Sequence, residues 1–94
     1  MIPDNISRSH ILKAIDVVDR EGVPPRRKSR KFDLLYEGRK YPPKYLVSLA
    51  NIFVAGEELS PEAFHIYDAC RFLVPLGFDI LKEGSPVDLK RDCR

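Results

Sequence analysis

The chain has no tryptophan, one methionine and two cysteines among its 94 residues. No apolar run approaches the roughly 20 residues that a membrane-spanning helix needs, so no membrane partner is expected. The opening, Met1 to Arg8, is polar and lacks the apolar stretch of a secretory signal. Cys70 and Cys93 form neither a metal spacing nor a disulfide framework. A reduced, cytoplasmic setting is therefore the default expectation. The chain also has no glycine-rich phosphate loop, no Ser/His/Asp order, no His–Cys cluster and no His-Asn-His nuclease pattern. No cofactor and no metal are expected, and the chain alone is not expected to be an enzyme. One arrangement loosely resembles the acid–acid–lysine set of metal-dependent nucleases: Asp33, Glu37 and Lys40 around a hairpin. The residue two after Glu37 is Arg39 rather than lysine, and nothing makes the carboxylates converge as a metal site requires. Glu37 reads as a solvated turn residue.

What the chain does have is concentrated positive charge. The total is only +2, but Arg20 to Lys44 holds nine Lys/Arg against three Asp/Glu, a net +6, which leaves −4 for the remainder. That asymmetry points to a polyanionic partner. Within it, Arg26-Arg27-Lys28-Ser29-Arg30-Lys31 follows a Pro-Pro break. It reads either as a solvated loop or as a basic arm that contacts phosphates; such contacts position a protein on nucleic acid without reading its sequence.

The stretch Glu37-Gly38-Arg39-Lys40-Tyr41-Pro42-Pro43-Lys44-Tyr45 organises the rest. Pro43 suits the first position of a helix, and Pro42 biases Tyr41 towards an extended form. Arg39 to Tyr41 should be strand and Lys44 onwards helix. A helix N-terminus is partly positive and favours acidic residues. Lys44 sits there instead, behind Arg39 and Lys40. That is unhelpful for folding alone and sensible if an anion docks; the ordinary alternative is a lysine pointing into water.

The remaining elements follow from period and punctuation. Ile11, Ala14, Ile15 and Val18 share one helical face behind an Asn5 or Ser7 cap, and Gly22 and Pro24-Pro25 end that helix. His10, beside that face, reads as a packed or capping side chain. Phe32 to Tyr36 reads as a strand joined through Glu37-Gly38 to Arg39–Tyr41. Lys44 to Ala55 is apolar nearly all round and so should be a buried helix. Ser60-Pro61-Glu62 carries a cap, a proline and an acidic residue, which predicts a third helix from Pro61 to about Leu73. Phe64, Tyr67, Ala69, Phe72 and Leu73 are expected in or near the core. Pro75 stops the helix, and Phe78 to Lys82 is a third strand. The expected fold is α+β: a small antiparallel sheet of about three strands with three helices, in the order α-β-β-α-α-β. One domain should span 1–83, with a polar tail or linker over 84–94.

Several of these stretches together resemble a known family. They are Asn5-Ile6-Ser7-Arg8, His10-Ile11, Gly22-Val23-Pro24-Pro25-Arg26-Arg27, Ser29-Arg30-Lys31-Phe32-Asp33-Leu34, Tyr36 to Tyr45, and Leu76-Gly77-Phe78-Asp79-Ile80. The chain is similar over about residues 5 to 82 to the N-terminal head domain of McrA-like endonucleases. These are prokaryotic restriction enzymes that cut modified DNA with a C-terminal His-Asn-His nuclease domain. Tyr41-Pro42-Pro43-Lys44 is the most specific part. The family pattern carries a Gly-Gly and a Thr-Asn pair after the phenylalanine matching Phe64, where this chain has His65-Ile66 and Ala69-Cys70. The resemblance implies a non-catalytic accessory module of a restriction or defence system. DNA would be bound through phosphate contacts from Arg26, Arg27, Lys28, Arg30, Lys31, Arg39, Lys40 and Lys44, with Tyr41 and Tyr45 available to stack or hydrogen-bond. Both tyrosines also suit a partly buried place at the strand–helix junction. The alternative is a protein-interaction or dimerisation domain that docks on a nuclease domain or another protein partner.

Overall fold

A computed structural model describes residues 2–3, 5–28, 31–83 and 85–86. Helix α1 spans Arg8–Glu21 and buries Ile11, Ala14, Ile15 and Val18, the face its spacing predicts. Ser7 is its cap, and His10 serves that cap: its Nδ1 accepts the Ser7 backbone N–H at 2.9 Å. A 310 turn, Pro25–Arg27, follows the helix.

Strands β1 (Phe32–Tyr36) and β2 (Arg39–Tyr41) pair antiparallel, with Tyr36 opposite Arg39. The two residues between them have positive φ, +50° at Glu37 and +78° at Gly38. This is the requirement of a type I′ hairpin turn, whose twist suits the strands. Gly38 meets it without cost, whereas Glu37 is held in the left-handed region.

Helix α2 (Pro43–Ala50) buries every residue except Lys44, and Asn51 behind it is buried as well. It is the hub of the molecule, lying against α1, β1 and the fourth helix. The single helix expected to Ala55 is interrupted at Asn51, and α3 (Ile52–Ala55) carries on as one turn. The all-round burial expected of the whole segment holds only for α2. Ile52 and Phe53 are 39% and 41% exposed.

Helix α4 (Ile66–Leu73) starts five residues later than Pro61. The Ser60-Pro61 signal makes a turn instead: Ser60 O accepts Ala63 N–H at 3.0 Å, and Ser60 Oγ accepts Glu62 N–H at 3.3 Å. That turn brings Phe64 into the core. The effective start is His65, whose N–H donates to Asp68 Oδ2 at 2.9 Å. Ala69, Cys70 and Leu73 are buried, but Tyr67, expected near the core, is 45% exposed.

A second 310 turn (Val74–Leu76) then leads to β3 (Asp79–Lys82), which pairs antiparallel with β1. Ser85–Pro86, in the stretch read as tail, adds a two-residue strand β4 on β3. The sheet order is β2-β1-β3-β4. The fold is α+β in the expected order α-β-β-α-α-β, the second helix being broken and the sheet gaining one short strand. No helix among the described residues is long and apolar enough to cross a membrane.

The ends of this fold are tied at Gly77. Arg8 Nη1 donates to Leu76 O at 2.8 Å, and its guanidinium lies 4.5 Å from the Phe78 ring centre. Gly77 has φ +93°, and a Cβ there would stand 2.9 Å from Arg8 Nη1. Gly77→Ala should therefore lower stability by roughly 1–2 kcal/mol, from the left-handed backbone and the displaced arginine. Urea unfolding measures it, and an unchanged midpoint would show that the turn relaxes freely.

Burial pushes the Cys70 thiol up to about 12, so almost no reactive thiolate exists near neutrality. In a Cys93→Ser variant, the native protein should stay unreactive towards Ellman's reagent at pH 8 and yield one thiol on denaturation. Rapid native labelling would mean that α4 opens readily.

Candidate functional site

Four segments converge on one groove of about 600 Å³. The 310 turn after α1 and the residue behind it contribute Arg26, Arg27 and Lys28. The start of β1 contributes Lys31 and Phe32. The β2–α2 junction contributes Pro42 and Lys44, and the approach to α4 with its first turn contributes Pro61, Ile66 and Tyr67. Among the described residues, half of this lining is cationic, half is apolar or aromatic, and none is acidic.

The cations differ in how they are held. Arg27 is an anchor. Its Nη2 donates to Ser48 Oγ at 2.8 Å, its Nη1 reaches Glu58 Oε1 at 3.3 Å, and its guanidinium lies 4.9 Å from the Tyr45 ring centre. Its side chain is only 18% exposed. Ser48 is fully buried on α2, and a buried hydroxyl without a partner is costly. Lys44 lies over the Phe64 ring at 5.3 Å, a cation–π placement that keeps its charge at the groove. Arg26, Lys28 and Lys31 are exposed. Among the described residues, none of Arg26, Lys28, Lys31 and Lys44 has an acidic partner; the ion pairs belong to Arg20, Arg27 and Arg39. Arg30 lies outside the described residues.

Arg39, Lys40 and Tyr41 are not part of the groove lining. Arg39 pairs with Asp19 on α1 at 3.5 Å. Tyr41 donates its hydroxyl to the same Asp19 oxygen at 2.7 Å and is 4% exposed. Burial, and then that carboxylate, raise its phenol above the ordinary value. Lys40 is exposed and, by strand alternation, turns to the opposite sheet face. Tyr45 is 9% exposed beneath Arg27; burial raises its phenol too. The structure thus sets both tyrosine rings in the core, where neither offers a free face for stacking. Glu37 is exposed at the hairpin turn. Among the described residues, no group of three or more His, Cys, Asp or Glu is placed to hold a metal.

Two features around Phe32 escaped the sequence reading. Tyr67 was expected in or near the core, yet its ring stands at the groove, edge-on to Phe32 at 5.4 Å. Lys82, opposite Phe32 in the β1–β3 register, lies 5.9 Å from the Phe32 ring centre. The late start of α4 was the information missing for Tyr67, and the β1–β3 pairing for Lys82.

A family model described as the ScoMcrA-like N-terminal head domain matches residues 4–82. The chain belongs to this head-domain family. No curated protein and no solved structure matches it. His65-Ile66 and Ala69-Cys70, set against the family resemblance above, fall in different places. Ala69 and Cys70 are core residues of α4. His65 and Ile66 open α4, and Ile66 lines the groove.

The geometry of the anchor generates a stability test. Arg27→Ala strands the Ser48 hydroxyl and uncovers Tyr45, so it should cost about 1–3 kcal/mol. Adding Ser48→Ala should cost little more, because the two residues share one interaction. Fully additive losses in a denaturant-based double-mutant cycle would show that they act independently.

Proposed function

We propose that this head domain is a non-catalytic DNA-binding accessory module of a prokaryotic restriction or defence endonuclease, contacting phosphates through its basic arm and helix junction. The observation that carries this reading is the groove itself: Arg26, Lys28, Lys31 and Lys44 surround it without an acidic partner among the described residues. Like charges gathered this way repel one another, and a polyanion relieves the repulsion. The N-terminus of α2 adds to the same field, since its first turn carries Lys44 and no acid. Arg30 belongs to the same basic arm by sequence. Arg39 and Lys40, on the exposed hairpin, form a second flank, and Arg27 serves by holding the arm in place. Tyr41 and Tyr45 support the junction from within. The catalytic step would belong to a nuclease domain of the larger system, in the cytoplasm where such systems meet DNA.

A second reading has its own support. Ile52 and Phe53 stand exposed on α3, with Lys13 over the Phe53 ring at 5.5 Å. An exposed apolar pair of this kind suits docking on another protein or on a nuclease domain.

A salt titration of binding to a short duplex DNA decides between them. Affinity should fall steeply with salt. A Lys28→Ala/Lys31→Ala/Lys44→Ala variant should have a slope shallower by about 0.9 per phosphate contact removed, or roughly two to three in all. Arg39→Ala/Lys40→Ala should reduce the slope by less. Absence of binding even at low salt would overturn the DNA reading and leave the protein-docking one.

A further inference from the structure

Phosphate contacts use only half of the groove. The rest is apolar: Phe32, Pro42, Pro61, Ile66 and Tyr67. A regular duplex presents its charged backbone and keeps its bases stacked inside, so it would leave this wall against water. The Tyr67 ring is exposed, is braced edge-on by Phe32, and lies near-parallel to the His65 ring, with centroids 6.4 Å apart and planes 18° apart. A braced, solvent-facing aromatic beside unpaired cations is the combination by which single-stranded nucleic acid is held: a ring for the base and positive charge for the backbone. At about 600 Å³ the groove also falls within the size range of small-molecule sites.

We infer that the groove receives one unpaired nucleobase against Tyr67 while Arg26, Lys28, Lys31 and Lys44 hold the phosphates beside it. This rests on the nucleic-acid reading above and adds to it a preference for a base that has left the stack. Among the described residues of the wall, Phe32, Pro42, Pro61 and Ile66 carry no polar side-chain group, so the ring is held by its faces and the preference is for being unpaired rather than for one base. The anchored Arg27 fixes the turn that carries Arg26 and Lys28, so the cations and the aromatic wall are positioned before any ligand arrives.

The test compares three duplexes of equal length under one low-salt condition: fully paired, with a single bulged adenine, and with an abasic residue in place of that adenine. The abasic bulge keeps the charge and the flexibility and removes only the ring. The bulged adenine should bind roughly ten- to hundredfold tighter than the abasic bulge. Tyr67→Phe should preserve that ratio and Tyr67→Ala should bring it close to one. Equal affinity for the two bulges in the wild type, with a steep salt dependence retained, would overturn the base pocket and leave the phosphate reading standing. No binding of any duplex would remove both.

Discussion

The contact on which the rest depends is Arg27 against Ser48 and Tyr45. Helix α2 is enclosed on nearly every side, so it can accept a polar group from outside only where it offers a partner. Ser48 offers one. The guanidinium satisfies that hydroxyl, lies against the Tyr45 ring and extends to Glu58, which fills three needs with one planar group. A lysine's single ammonium could not meet all three at once. The consequence reaches outward: once Arg27 is inserted, its neighbours Arg26 and Lys28 cannot follow it and are left exposed on the turn. A run of consecutive bases is thereby sorted into one structural residue and two that face the groove.

The groove is electrostatically unfavourable for the folded domain alone. Its cations come from three separate segments, and among the described residues no carboxylate lies in the lining. Carboxylates are nearby in the chain but are used elsewhere: Asp19 serves Tyr41 and Arg39, Asp16 serves Arg20, and Glu58 serves Arg27. Lys44 is retained at a helix start, where its charge is mildly destabilising, and is partly offset by the Phe64 ring. Stability alone would favour acids at these positions, which is the ground on which the proposed function rests.

Much of this fold was legible because its local rules agree with its tertiary packing. The α1 face, the Pro42-Pro43 strand-to-helix switch and the alternation in β1 each follow from spacing that the core then honours. Where reading failed, a long-range contact had overruled a good local signal. Ser60-Pro61-Glu62 is a sound helix start, but burial of Phe64 beneath Lys44 consumes that turn, and the helix begins again at His65 with Asp68 as its reciprocal cap. Asn51, buried and donating to the Glu57 carbonyl at 3.0 Å, marks a break that apolar composition alone conceals. The basic character of the site was plain in the sequence. Its division into a groove set and a hairpin set was not, because Arg39 is drawn to α1 by Asp19, a residue twenty positions away.

Ser48 inside α2 and Asn51 just behind it are buried polar residues in a largely apolar segment, and a buried polar side chain calls for a partner from somewhere else in the chain. Only a long side chain can cross from a surface turn to a buried helix. In a segment rich in arginine, that requirement alone predicts that one arginine will be structural. It also separates the two kinds of basic residue physically: Arg27, largely buried and held by Ser48 and Glu58, is committed to the fold, whereas those left in water keep their charge available. On the proposed function, the capacity to bind would therefore reside in the residues that the fold did not use.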